Sequence, residues 1–130
     1  MGATNRRQRF SLRKRLHSFK YAFAGIRLLF SEEHNAWIHA GITLAVVLAG
    51  VLLHVTVSEW VAIALCIGLV LAAEAVNSSI ERIADFLTIE RDDRIRDIKD
   101  LAAGAVLLCA IAAAGVGLVV FVPYIVSIGQ

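Results

Sequence analysis

The sequence predicts an all-α membrane protein with three transmembrane helices preceded by an amphipathic surface helix. Of its 130 residues, 58% are hydrophobic and only 18% are charged, and the mean hydropathy is +0.73. Ordinary soluble domains carry about a quarter of charged residues, and so apolar a chain cannot stay disordered in water. The single proline, Pro123, leaves room for long uninterrupted helices. We therefore expect one membrane domain over residues 1–130.

Three stretches free of Asp, Glu, Lys and Arg predict the spans. They run from His34 to Ser58, from Trp60 to Ala73 and from Leu101 to Gln130. A spanning helix needs about 20 mostly apolar residues. The first and third stretches are long enough alone, whereas the second must continue through Glu74 to about Ile80. The expected transmembrane helices therefore lie at about 36–57, 60–84 and 100–126.

The positions of the basic residues predict the orientation. All 13 Lys and Arg residues fall before the first span or between the second and third, and none lies in the turn expected near Val57–Glu59 or after Pro123. Because basic loops stay in the cytoplasm, we expect a cytoplasmic N-terminus and an external C-terminus. The basic residues are Arg6, Arg7, Arg9, Arg13, Lys14, Arg15, Lys20, Arg27, Arg82, Arg91, Arg94, Arg96 and Lys99.

Residues 1–33 combine these charges with apolar side chains at helical spacing. Such a pattern predicts a helix lying in the membrane surface, with its basic residues facing anionic head groups. The alternative is a solvated basic tail that serves only to set the topology. The apolar positions are Phe10, Leu12, Leu16, Phe19, Phe23, Ile26 and Phe30.

The end of the second predicted span carries a stripe of polar residues. At about 100° per residue, Glu74, Asn77, Ser78, Glu81 and Asp85 share one side of a helix. Like charges at this spacing destabilise a helix, and a divalent cation with oxygen ligands would relieve the repulsion. The alternative is an acidic helix end neutralised by Arg82 and nearby lysines. We call these five residues the carboxylate stripe.

Depth indicates different roles along the carboxylate stripe. Glu74 lies about 21 Å from Trp60 along a helix, still within apolar surroundings, where an ionisable residue indicates function and suits a general base. Lys99 and Asp100 open the third span on the same side and could hold phosphate oxygens and Mg²⁺. Glu33 lies where the first expected span meets the water, on the same side as these residues. We therefore expect a nucleotide and metal site at this membrane interface. No glycine-rich phosphate loop is present.

The run Glu74-x-x-Asn77-Ser78-x-x-Glu81-x-x-x-Asp85, followed by Lys99-Asp100, resembles the bacterial integral-membrane diacylglycerol kinase family, which includes the undecaprenol kinases. The resemblance extends from about Ser18 to the third span. It implies a homotrimer of three-span protomers in the bacterial cytoplasmic (inner) membrane, with no nucleic-acid partner. It also implies ATP- and Mg²⁺-dependent phosphorylation of a lipid hydroxyl, converting diacylglycerol to phosphatidic acid or undecaprenol to undecaprenyl phosphate.

The resemblance also implies roles for individual residues. Glu74 would be the catalytic base, Glu33 and Glu81 would hold the metal, and Asn77 and Asp85 would support the site. The nucleotide would contact Tyr21, Glu33, Glu81, Glu90, Lys99 and Asp100, and the lipid would contact Glu74, Asn35 and Ala103. Relatives often carry an arginine where Trp37 stands, which puts the lipid head-group contacts near that position in doubt.

Several readings stay open at this point. The segments around Asn35 and Ala103 look more like the undecaprenol kinase branch, yet diacylglycerol remains a possible substrate. His39 fits a packing histidine at a helix start, and Cys66 and Cys109 fit small packing residues. The main alternative function is a small oligomeric ion carrier or proton relay that uses Glu74. An inert scaffold would not explain acidic residues gathered at one interface.

Overall fold

The computed structural model describes residues 11–87, 90 and 92–129, apart from the side chains of Arg13 and Lys14. Within these residues the chain forms four helices, α1 (Leu12–Glu32), α2 (His34–Leu52), α3 (Val57–Leu87) and α4 (Asp93–Ile128). The last three are long and apolar enough to cross a membrane, which confirms the prediction of three apolar helices of spanning length. Phe10, Arg91 and the arginines at positions 6, 7 and 9 lie outside the described residues.

A sharp corner separates α1 from α2. Glu33 adopts an extended backbone conformation between the helices, and its N–H donates to the carbonyl of Leu29. The indole Nε1 of Trp37 donates to the carbonyl oxygen of Phe30 at 2.7 Å, and the two aromatic rings pack edge to face. Trp37 therefore connects the start of α2 to the end of α1, and Glu33 lies between the two helices.

The turn between α2 and α3 lies at residues 53–56, so its predicted position at Val57–Glu59 is wrong. His54 has a φ of 54°, in the left-handed region that a continuing helix does not enter. Thr56 and Glu59 then form a capping box, since the Thr56 N–H donates to Glu59 Oε2 at 2.6 Å and the Glu59 N–H donates to Thr56 Oγ1 at 3.4 Å. A reciprocal pair of this kind starts a helix.

The end of the bundle that holds this turn, which we call the turn end, contains an apolar core. The Trp60 ring lies against Gly50, where a Cβ atom would come within 2.8 Å of the indole. Tyr124 ties α4 to the same region by donating from its hydroxyl to Glu59 Oε2 at 2.8 Å. Three buried residues, Val55, Ile63 and Val120, form the centre of this core. The turn end is therefore closed by packing and by satisfied hydrogen bonds.

The opposite end, which we call the stripe end, is formed by helices that are longer than predicted. Helix α4 begins at Asp93 rather than near residue 100, because Asp92 caps it by accepting the Arg94 N–H at 2.8 Å. Helix α3 has 31 residues and α4 has 36, which corresponds to about 47 and 54 Å. Both exceed an apolar membrane core of about 30 Å. The two helices pack along each other, and α3 carries the carboxylate stripe.

Candidate active site at the stripe end

The carboxylate stripe passes from the protein interior to the surface along α3. Glu74, Asn77 and Ser78 are only 3%, 7% and 6% exposed, while Glu81 is half-buried and Asp85 is exposed. Glu74 therefore points between the helices and not into the surrounding lipid. A carboxylate withdrawn from water in this way is destabilised unless polar groups replace its hydration.

His39 supplies such a group to Glu74. The Nε2 atom of His39, on α2, lies 3.1 Å from Glu74 Oε1, and the two side chains are 19% and 4% exposed. When Glu74 is ionised, its carboxylate only accepts hydrogen bonds, and Nε2 then carries the hydrogen of this contact. The interpretation of His39 as a packing histidine is thus incomplete, because its ring contacts the innermost stripe carboxylate.

One turn along α3, two buried polar atoms have no partner among the described residues. Asn77 Nδ2 donates to Glu81 Oε1 at 3.1 Å, but Asn77 Oδ1 and Ser78 Oγ are buried without a hydrogen bond to any described residue. Buried polar atoms in proteins are nearly always paired. These two atoms are therefore positioned to hydrogen-bond a bound molecule or water beside Glu74.

Arg82 brings the α1–α2 corner to the carboxylate stripe. Its guanidinium donates to Glu32 at 2.9 Å and lies 3.5 Å from Glu33. Arg82 thus pairs with these two residues instead of neutralising the acidic helix end of which it is part. Glu33 consequently lies against the residue that follows Glu81, although 48 positions separate Glu33 from Glu81 in the sequence.

The donor chemistry around Glu33 and Glu81 fits a magnesium ion. The described residues contain no group of three or more His, Cys, Asp or Glu side chains that could hold a metal. Mg²⁺ in nucleotide sites, however, commonly takes one or two carboxylates and completes its shell with phosphate oxygens and water. Glu81, hydrogen-bonded to Asn77, and Glu33, paired with Arg82, are carboxylates of this kind on neighbouring segments of the site.

Lys99 faces the outer part of the carboxylate stripe from α4. Its Nζ donates to Asp85 Oδ1 at 2.9 Å and also interacts electrostatically with Glu81. His39 and Lys99 therefore relieve some of the repulsion between the three stripe carboxylates. Repulsion between these carboxylates therefore does not by itself require a metal ion. A metal ion is indicated instead by the oxygen ligands that Glu33 and Glu81 could supply.

The other residues implied by the resemblance are spread over the surface of the single chain. Tyr21 lies on α1 and packs against His17, and Glu90 lies exposed in the α3–α4 connection. Asn35, Asp100 and Ala103 are exposed on α2 and α4. Within the described residues, no hydrogen bond or ion pair joins Tyr21, Asn35 or Asp100 to the carboxylate stripe.

An apolar cavity of about 250 Å³ lies between α2, α3 and α4, beside the innermost part of the site. Its lining includes His39, Thr43, Cys66, Val70, Ala114 and Phe121. Cys66 and Cys109 are both free and half-buried within the helices, which agrees with their expected role as small packing residues.

Comparison with known proteins identifies the family. The family model for prokaryotic diacylglycerol kinase matches residues 20–121. The chain is 34% identical over 115 residues to an undecaprenol kinase from Bacillus subtilis (strain 168), covering 88% of this chain and 94% of that protein. It is 38% identical over 114 residues to a diacylglycerol kinase from Synechocystis sp. (strain ATCC 27184 / PCC 6803 / Kazusa), covering 87% of this chain and 65% of that protein. The chain therefore belongs to the prokaryotic diacylglycerol kinase family of membrane lipid kinases.

Proposed function

We propose that this protein transfers the γ-phosphate of ATP to the hydroxyl group of a membrane lipid, with Mg²⁺, at the stripe end of the bundle. One observation carries the proposal. A buried carboxylate, Glu74, lies one turn from two buried and unpaired polar atoms, Asn77 Oδ1 and Ser78 Oγ. Glu74 is suited to accept the proton of an alcohol that enters from the membrane, and the Ser78 hydroxyl is suited to donate to the alcohol oxygen.

In the proposed reaction, Glu74 acts on the lipid. Its carboxylate accepts the proton of the lipid hydroxyl, whose oxygen attacks the γ-phosphorus, and the bond to the ADP oxygen breaks. Phosphoryl transfer needs little covalent help from the protein and relies on positioning and charge stabilisation. Ser78 Oγ would donate to the lipid oxygen, and Asn77 Oδ1 would accept a hydrogen bond from a bound water or hydroxyl group beside Glu74.

We propose that the metal and the nucleotide occupy the more exposed part of the site. Glu33 and Glu81 would hold Mg²⁺, which when bound neutralises charge developing on the phosphates. Lys99 is held near Glu81 by Asp85 and would bind phosphate oxygens. Tyr21, Glu90 and Asp100 would form the remainder of the nucleotide site, as the resemblance implies.

We propose undecaprenol as the lipid substrate, with diacylglycerol as the alternative. The match to the undecaprenol kinase covers nearly the full length of both chains, whereas the match to the diacylglycerol kinase leaves about a third of that protein uncovered. Asn35 and Ala103 are exposed on the membrane helices, where they could contact the lipid as it approaches Glu74.

We further propose that α1 lies in the membrane surface of a homotrimer in the bacterial inner membrane, with the N-terminus in the cytoplasm. Several large apolar side chains of α1, among them Leu16, Phe19 and Phe23, are at least 60% exposed in the single chain. Such exposure supports burial against lipid or another protomer.

Maleimide labelling of single cysteines at positions 20 and 129 in intact cells and in inverted vesicles would test the topology. Native mass spectrometry would test the trimer.

The proposed reaction can be tested directly by product identification. The purified protein is incubated with γ-³²P-labelled ATP and undecaprenol, diacylglycerol or undecaprenyl acetate, whose hydroxyl is blocked. We expect radioactive undecaprenyl phosphate, no product from the acetate, and loss of transfer when EDTA removes the metal. Labelled phosphatidic acid alone would replace the proposed substrate with diacylglycerol. The absence of labelled lipid from any alcohol would reject the proposal.

A further inference from the structure

We infer that His39 is a positioning residue for lipid phosphorylation, which holds the carboxylate of Glu74 by a hydrogen bond to one of its two oxygens. This inference rests on the proposed function, in which Glu74 is the base. Nothing in the resemblance assigns a role to His39.

The contact is suited to fixing a carboxylate. His39 Nε2 lies 3.1 Å from Glu74 Oε1, inside the protein. Among the described residues, it makes the one hydrogen bond that the Glu74 side chain receives. Because Oε1 is engaged, the second oxygen, Oε2, is left to face the lipid hydroxyl. A base that rotates freely would present this oxygen only part of the time, whereas a fixed one is preorganised.

The contact also joins two helices that each carry part of the site. His39 lies on α2, less than two turns after Glu33 at the α1–α2 corner, while Glu74 lies on α3 with Glu81. Ion pairs from Arg82 connect the same two regions at the surface. His39 therefore sets the register between the base and the residues proposed to hold the metal.

Two substitutions separate positioning from simple packing. His39→Leu introduces an apolar side chain of comparable size that lacks the Nε2 hydrogen-bond donor. His39→Gln places an amide N–H donor near the position of Nε2. Loss of a hydrogen bond to a charged group should lower kcat by about 10- to 100-fold in His39→Leu. His39→Gln should recover kcat to within about fivefold of the wild type. The KM for MgATP should change by less than about twofold in both variants, because the proposed nucleotide residues are untouched.

Thr43 provides a matched control. It lies one turn further along α2 and lines the same cavity as His39, so Thr43→Val reports the effect of a mild change in packing. We expect wild-type kcat from this variant. If His39→Leu does not fold, as judged by size-exclusion chromatography in detergent, His39→Asn takes its place, because its amide is one methylene shorter than that of Gln.

The outcomes distinguish this inference from the proposed function. Wild-type kcat in the donor-free variant, or equal impairment of His39→Leu and His39→Gln, would overturn the positioning role. In either case an inactive Glu74→Gln would leave the proposed function intact. An active Glu74→Gln would instead remove Glu74 as the base, and the inference would fall with it.

Discussion

Helix α3 carries two carboxylates that face other helices, Glu59 in its first turn and Glu74 near its middle, and their surroundings differ. At the turn end, Glu59 Oε2 accepts hydrogen bonds from the backbone and hydroxyl of Thr56 and from the hydroxyl of Tyr124, all within 2.8 Å. At the stripe end, Glu74 is more deeply buried and, among the residues that the structure describes, makes a single side-chain hydrogen bond, with His39. Glu59 therefore joins the α2–α3 turn to α4, whereas Glu74 is the carboxylate that we propose as the proton acceptor.

The same contrast extends to the surroundings of the two carboxylates. The turn end is closed by the apolar contacts of Trp60 and by a capping box. At the stripe end, buried atoms of Asn77 and Ser78 have no partner within the described part of the chain, and surface ion pairs connect three helices. Such departures from full satisfaction concentrate where proteins bind and react. We therefore expect substitutions at the two ends to affect different measurements.

The largest effect among the supporting residues is expected from Glu81→Gln. The amide keeps an oxygen for Asn77 but removes the charge proposed to hold Mg²⁺. The Mg²⁺ concentration that gives half-maximal activity should rise at least about tenfold. Glu32→Gln is the matched control, because Glu32 pairs with Arg82 nearby but is not proposed to bind the metal. An unchanged Mg²⁺ titration for Glu81→Gln would contradict ligation.

Lys99→Met should weaken nucleotide binding next. Removing the cation that lies between Asp85 and the proposed phosphates should raise the KM for ATP by about tenfold. Arg96→Met removes a positive charge one turn earlier on α4, where Arg96 pairs with Asp93 and Asp97. Steady-state kinetics should show little change for this control. If Lys99→Met and Arg96→Met raised the KM for ATP equally, Lys99 would act only through its contribution to the overall positive charge.

At the turn end, Gly50→Ala should reduce stability without changing the chemistry. The new Cβ would lie 2.8 Å from the Trp60 ring, and overpacking of this kind costs about 1–3 kcal/mol. Gly41→Ala on the same helix meets nothing within 4 Å and should be neutral or slightly stabilising. Thermal unfolding in detergent measures both. A wild-type Tm for Gly50→Ala would show that the indole contact is not a constraint.

The smallest effect is expected at the start of α4. Hydrogen bonds from the side chain and backbone of Arg94 lower the pKa of the Asp92 carboxyl from its usual value near 3.8. A carboxyl with a lowered pKa in the folded state stabilises the fold above its unfolded pKa, and this stabilisation is lost as the pH falls through the folded pKa.

Asp92→Asn tests this pH dependence. The asparagine still caps the helix but does not titrate, so its Tm should fall less steeply than that of the wild type between about pH 5 and pH 3. Tm values measured by differential scanning fluorimetry across this range provide the comparison. Parallel curves for the two proteins would exclude a contribution from Asp92.

The helices and the carboxylate stripe were predictable from local patterns, because an apolar run defines a span and a 100° step defines a helix face. The same reasoning could have found the true helix starts. Thr56-x-x-Glu59 is a visible capping box, and Asp92 is a favourable N-cap residue. The prediction placed both starts too late because it followed the absence of charge instead of these caps.

The contacts between helices were not predictable in the same way. His39 and Glu74 are 35 positions apart, and Arg82 and Glu32 are 50 apart. Neither pairing follows from spacing within one helix, since both depend on how the helices pack. In the sequence, His39 is interpreted only as a packing histidine at a helix start, within the segment that looks like the undecaprenol kinase branch. The unpaired atoms of Asn77 and Ser78 likewise emerge only when neighbouring helices cover them.

The most direct test compares Glu74→Gln with Glu59→Gln in a single turnover of labelled ATP with saturating lipid alcohol. MgATP binding is measured on the same samples. We expect Glu74→Gln to bind MgATP normally and to lose phosphoryl transfer by at least about 100-fold, while Glu59→Gln transfers phosphate normally but unfolds at a lower temperature. Normal transfer by folded Glu74→Gln would contradict the assignment of the buried carboxylate as the base.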